Sequence, residues 1–169
     1  MGNWAGGRCS VADVKGQGMR TVLRRWIAVT ILSALLAACV GERPNNLGVQ
    51  DGALASCPAS PNCVSSFARN DRHQIAPFSF NGDPDAAFAR LKLVLSRRAD
   101  ATVIEEQSGY LRIELRTTFF VDDAEFMLDS KQRVIQVRSA SRLGYSDLGK
   151  NRSRMEELRA LFGQVEALQ

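Results

Sequence analysis

The hydrophobic period of this chain changes from helical to strand-like and back again between residues 83 and 165, and few folds satisfy that order. Asp83 can cap a helix with Pro84 at its first position. Ala87, Phe88, Leu91, Val94 and Leu95 then recur on one helical face, to about Arg98. The period next falls to two. Thr102–Glu106 is expected to be a strand, with a turn at Ser108-Gly109. In Tyr110–Arg116, Leu111, Ile113 and Leu115 alternate with Arg112, Glu114 and Arg116, as in a half-buried antiparallel strand. Phe119–Leu128 and Val134–Arg142 follow, separated by a turn at Asp129-Ser130-Lys131-Gln132. A loop from Gly144 to Gly149 leads to a last helix with the stripe Met155, Leu158, Leu161, Phe162 and Val165. Asn151 or Ser153 could cap it, and Ser153 with Glu156 has capping-box spacing. The expected fold class is α+β, a four-stranded antiparallel meander with two flanking helices on one face.

The amino-terminal region belongs to a different regime. Arg20, Arg24 and Arg25 precede Trp26–Ala38, an uncharged and mostly apolar run of 13 residues that ends in Leu36-Ala37-Ala38-Cys39. Such a run is short for a span, which needs roughly 20 apolar residues, and it fits a signal peptide; a short buried helix is the alternative. Leu36-Ala37-Ala38-Cys39 resembles the lipobox of bacterial lipoproteins. That resemblance implies cleavage after Ala38 and lipidation of Cys39, which would anchor the chain to a membrane. Val40 stands where an aspartate would signal inner-membrane retention, so the expected location is the cell envelope, at the outer membrane facing the periplasm in a Gram-negative host. Residues 1–18 are glycine-rich and contain Asp13, and Met19 is the better start for a signal peptide. The expected organisation is a signal peptide over 1–38, a flexible tether over 39–56 and one domain over 57–169.

Charge changes with this division. The whole chain is formally +4, but residues 1–38 hold five bases and one acid, so the remaining 131 residues are neutral with seventeen of each. Nucleic-acid binding through bulk charge is therefore not expected. Cys57 and Cys63 are left as the one unmodified pair. In an oxidising compartment a structural disulfide is the leading reading. A redox or metal site is the alternative, although five intervening residues suit neither zinc nor thioredoxin-like spacing. Neither a metal nor a cofactor is expected.

Polar residues are densest from Arg138 to Arg154. Strand alternation puts Arg138 and Arg142 on one face, and Arg152 lies near a helix amino terminus, which disfavours cations. Two readings are open. Arg138, Ser139, Ser141, Arg142, Tyr145, Asn151, Arg152 and Arg154 could form an anion-binding site. Alternatively the arginines form a salt-bridge lattice with Asp122, Asp123 and Asp147. His73 is the one histidine in the chain, so any general-base role would fall to it, and His73, Asp122, Asp123 and Asp147 are the candidate polar partners of the site. No serine sits in a Gly-x-Ser-x-Gly elbow, and no catalytic residue is assigned.

Four segments in order carry a family resemblance. They are Cys57-Pro58-x-Ser60-Pro61-Asn62-Cys63-Val64-Ser65-Ser66, His73-x-Ile75-x-Pro77, Phe120-Val121-Asp122-Asp123-x-Glu125-Phe126, and Arg138-Ser139-x-Ser141-Arg142-x-Gly144-Tyr145-Ser146-Asp147-x-Gly149-x-Asn151-Arg152-x-Arg154. Together they resemble the family described as domain of unknown function 1499, from Cys57 to about Phe162. The resemblance implies a bacterial protein that is often attached to a membrane, and it implies no activity. The leading functional expectation is a non-enzymatic envelope module. It would bind an acidic small molecule, a lipid headgroup or a protein partner through the Arg138–Arg154 region. An envelope hydrolase for an ester or phosphoester, using His73 or Asp122/Asp123 with arginines stabilising the oxyanion, is the second, and a purely structural lipoprotein the third.

Overall fold

The computed structural model describes residues 41–167. The expected signal peptide and the lipid site at Cys39 lie outside the described residues. The first elements are a small hairpin, β1 (Val49–Gln50) and β2 (Ala53–Leu54), turned at Asp51-Gly52, where both residues have positive φ. Then come β3 (Cys63–Ser65), β4 (Phe78–Ser79), helix α1 (Pro84–Ser96), β5 (Ala101–Gln107), β6 (Tyr110–Arg116), β7 (Val121–Asp129), β8 (Val134–Ser141) and helix α2 (Lys150–Glu166). The fold is α+β, with an antiparallel sheet in the order β3-β8-β7-β6-β5 and β4 also paired to β8.

The sheet therefore has six strands where the sequence suggests four. β3 and β4 are three and two residues long, too short to show a period, and they lie in a proline-broken stretch. They pair with opposite halves of β8, Cys63–Ser65 against Arg138–Ala140 and Phe78–Ser79 against Val134–Ile135.

One face of the sheet carries the core. Leu111, Ile113, Leu115, Ala124, Phe126, Ile135 and Val137 are fully buried, and they meet Ala87 and Leu91 of α1 and Met155, Leu158 and Phe162 of α2. Phe78 links strand to helix, with ring centroids 6.1 Å from Phe126 and 5.9 Å from Phe162. Truncating Phe162 to alanine would cost about 3–5 kcal/mol. α1 starts as its sequence suggests, with the Asp83 carboxylate accepting from Ala86 N at 2.8 Å. α2 does not. Its N-cap is Gly149, at φ 79, and Asn151 and Ser153 already lie inside the helix. The Asp147 carboxylate supplies the cap, accepting from Gly149 N at 3.0 Å and Asn151 N at 2.7 Å.

The largest departure concerns the expected tether. Residues 43–58 lie across the charged face of the sheet. Arg43 donates to Glu114 through Nε at 2.9 Å and Nη2 at 2.5 Å, and Gly48 N donates to Glu125 at 2.7 Å. Low apolar content reads as flexibility, yet this segment is held by charge and backbone amides rather than by a hydrophobic stripe. Cys57 and Cys63 form a disulfide with their Cα atoms 5.7 Å apart, closing the loop that returns the chain into β3.

Candidate functional site

β7 begins and β8 ends at the same end of the sheet, with Asp122 opposite Ser141 and Ala124 opposite Ser139. Alternation puts Asp122, Ser139 and Ser141 on the helix-covered face, where the first turns of α2 bring Asn151 and Arg154 onto them. Arg154 Nη1 donates to Asp122 Oδ2 at 2.5 Å, and Ser141 Oγ donates to Asp122 Oδ1 at 2.5 Å. Asn151 Nδ2 donates to Ser141 Oγ at 2.9 Å, to Asp147 Oδ2 at 2.9 Å and to Asn62 O at 3.2 Å. Ser139 Oγ donates to Asn151 Oδ1 at 2.5 Å. Asn62 Nδ2 reaches Gly144 O at 2.7 Å. Each member of this network has a partner, so it fixes the two adjoining loops with little spare hydrogen-bonding capacity.

Those loops, 117–120 and 143–149, enclose a cleft of about 210 Å³. Asp122 and Ser141 line its floor, and Phe120, Leu143, Leu148 and Lys150 stand around it. The rim is strongly apolar. Leu148 is 96% exposed, Phe119 75% and Tyr145 74%, with Phe120 and Leu143 about half exposed. Leu148 is also held at φ 53, a left-handed backbone that leucine disfavours. Its amide is caught by Ser146 Oγ at 3.2 Å.

The opposite face of the sheet holds a second polar group. Arg142 donates to both Asp123 oxygens, at 2.7 and 2.8 Å, and to Glu114 at 2.5 Å. Arg116 and Arg43 also reach Glu114, each at 2.5 Å. Burial pushes the Glu114 carboxyl up, but hydrogen bonds from Arg142, Arg43 and Arg116 outweigh it and hold the group down at about 2. Asp123, beyond an opposing contribution from burial, raises the Arg142 guanidinium above its usual value. Arg138 lies 3.3 Å from Glu125, which also accepts from Tyr110 Oη at 2.9 Å. Burial and the neighbouring Glu125 charge push the Tyr110 hydroxyl upward.

The expected anion site is thus divided by the sheet. Arg138 and Arg142 face residues 43–58, while Ser139, Ser141, Asn151 and Arg154 lie on the helix side. Arg138, Arg142 and Arg154 each meet a buried carboxylate, the lattice arrangement. Arg152 joins neither group. It donates to Gln74 O at 2.7 Å and Arg72 O at 3.1 Å, tying down the turn that precedes β4. Tyr145 is exposed on the loop that borders the cleft, and Asp147 serves the helix cap. His73 is buried, and its Nδ1 is 2.9 Å from Cys63 O. A carbonyl only accepts, so Nδ1 carries the proton there. The ring lines a separate hollow of about 220 Å³ with Cys57, Ser65 and Asn70. Among the described residues no hydrogen bond joins His73 to Asp122 or Asp123, whose partners are Arg154 with Ser141 and Arg142.

Sequence reasoning missed Asn62, the apolar rim and Lys150. Phe119 and Phe120 read as the start of a strand, but Thr117 closes a turn there, accepting from Phe120 N at 3.1 Å. Leu148, a large apolar residue between loop residues with no periodic partner, was the available signal.

No curated protein and no solved structure matches the chain. The sequence segments that build the network and the cleft, from Asn62 to Arg154, are the same that a family model spans. That model, described as protein of unknown function DUF1499, matches residues 53–162, and the chain belongs to that family.

Proposed function

We propose that this protein is a lipid-anchored, non-enzymatic module of the cell envelope that binds lipid in the cleft between residues 117–120 and 143–150. The supporting observation is the cleft's composition. Its polar floor is already hydrogen-bonded, while three apolar side chains that line it, Phe120, Leu143 and Leu148, lie open to water, and Phe119 and Tyr145 are exposed on the same two loops. Contiguous exposed apolar surface marks a membrane, protein or ligand-binding site. The volume of about 210 Å³ is below the range of roughly 300–1,000 Å³ common for small-molecule pockets, and it suits part of an acyl chain with its headgroup at the rim. Lys150, Thr117 and Ser146 line the cleft where a headgroup would sit. Fixed arginines weigh against a large acidic ligand here, since Arg142 and Arg154 are already neutralised. Among the described residues no hydrogen bond pairs His73 with a serine or cysteine side chain, so nothing there supports a hydrolytic reading.

Sedimentation of residues 40–169 with vesicles of phosphatidylethanolamine and phosphatidylglycerol tests the proposal. The wild type is expected to co-sediment and Phe120→Asp/Leu148→Asp to remain in solution. Equal behaviour of the two proteins would remove the lipid reading.

A second reading has one observation behind it. Arg138 Nε is buried and without a partner among the described residues. Arg138 also lines a hollow of about 300 Å³ with Asn46, Pro44 and Arg142. A small anion there would stabilise the apo protein. A thermal melt unchanged by inorganic phosphate, relative to chloride, would dismiss that reading.

A further inference from the structure

We infer that the anchor and the cleft act at one membrane: the chain leaves the domain beside the apolar rim, so the lipid on Cys39 holds the 117–120 and 143–148 loops against the bilayer that carries it. The inference rests on the lipid-anchored reading above and adds an orientation to it.

The geometry starts at Gly41, the first described residue. It lies so close to the cleft loop that a Cβ built there would come within 2.9 Å of Leu143 Cγ and 3.0 Å of Arg142 Cβ. Its φ of +73° is one that glycine adopts freely. The chain therefore passes over Leu143, which belongs to the rim. Two peptide steps separate Gly41 from Cys39, and two residues span at most about 7 Å. A lipidated Cys39 places its acyl chains in the bilayer, so Leu143 must lie at the level of the headgroups. A tether of eighteen residues would have left the domain free to turn in any direction. Residues 43–58 are instead fixed on the sheet through Glu114 and Glu125, and they give no such freedom.

The surface brought to the membrane by this route is suited to it. Tyr145 is an amphipathic aromatic of the kind that favours the interface between water and hydrocarbon, and Phe119 and Phe120 are exposed apolar aromatics. Leu143 and Leu148 supply apolar depth. Lys150 is exposed at the cleft, where cations meet anionic headgroups. Glu42 and Asp147 are the opposing acids at this end, and the Asp147 carboxylate is turned to the amides of α2. The turn at Asp129–Gln132, at the far end of β7, is polar. It lies about 26 Å away along the strand.

The chain's own composition supplies the test. Both tryptophans, Trp4 and Trp26, precede Cys39, so a tryptophan introduced into the mature lipoprotein is its sole indole. The lipidated protein is reconstituted in phosphatidylethanolamine–phosphatidylglycerol vesicles carrying a nitroxide-labelled lipid. Leu148→Trp is expected to be strongly quenched and Lys131→Trp to match its emission in unlabelled vesicles. Tyr145→Trp, an exposed aromatic exchange, repeats the measurement should Leu148→Trp disturb its loop. Equal quenching at the two ends, or stronger quenching at 131, overturns the inference, as does a mature protein without lipid on Cys39. A glycine–serine spacer of about 20 residues before Gly41, with a reach of about 25 Å, separates the two proposals. Quenching at 148 that persists with the spacer shows that the cleft itself binds lipid. Quenching that the spacer abolishes keeps the orientation and removes the lipid-binding cleft.

Discussion

Leu148 combines two unfavourable features, a left-handed backbone and a side chain 96% open to water. For an L-residue with a Cβ the first costs roughly 1–2 kcal/mol. Glycine would relieve it. Leu148→Gly is therefore expected to unfold in urea at the same or a higher midpoint than wild type, while its vesicle binding falls. A loss of both together would show that Leu148 supports the loop rather than a ligand. The buried arginines respond in the opposite way. Arg154 is 2% exposed and joined to Asp122 at 3%, so Arg154→Met strands a buried carboxylate and should cost about 3–5 kcal/mol. Arg152 donates to backbone carbonyls from a half-buried position and meets no buried carboxylate. Arg152→Ala should cost about 1 kcal/mol, as expected for losing ordinary hydrogen bonds, and chemical denaturation of the two variants side by side checks the contrast.

At the scale of elements, the first turn of α2 is built by a residue outside it. Asp147→Ala removes the acceptor of the Gly149 and Asn151 amides and the partner of Asn151 Nδ2. It should lower stability by about 1–2 kcal/mol and loosen the cleft loop first, seen as faster amide exchange at Gly149 and Asn151 than in the core strands. Strands β5 to β8 were readable because Leu111, Ile113 and Leu115 alternate with charges over a whole strand. β3 and β4 were not, since two or three residues among prolines show no period. The cap of α2 was misread because Ser153 and Glu156 match a spacing rule that Gly149 pre-empts one turn earlier. The cleft was half legible. Its polar residues stand together in sequence, but alternation in β8 sends Arg138 and Arg142 to one side and Ser139 and Ser141 to the other. Which charges would be internal depended on residues 43–58 folding over them, and no local pattern announces that contact.

For the molecule as a whole, the charged face of the sheet acts as a second, ionic core, and its response to acid follows from Glu114. Three arginines hold that carboxyl at about 2 in the folded state, against 4.5 for an ordinary glutamate. A depressed carboxylate pKa contributes stability that is complete above the unfolded value and is lost as the pH falls through the folded one. The window for Glu114 thus runs from 4.5 down to about 2. Within it the unfolded chain takes up the proton first, and the equilibrium shifts toward unfolding. Glu114→Gln removes this proton linkage while leaving Arg142 its bond to Asp123, and Arg43 and Arg116 are half exposed and can turn to water. The variant is expected to be less stable than wild type near neutrality, with the gap closing as the pH drops through the window. Urea unfolding across that range measures the difference directly, so that other carboxylates, such as the Asp100 group held low by Arg98, cancel between the two proteins. Parallel curves for wild type and Glu114→Gln would mean that the arginines around Glu114 add no proton-linked stability, and that residues 43–58 are held on the sheet by something other than charge.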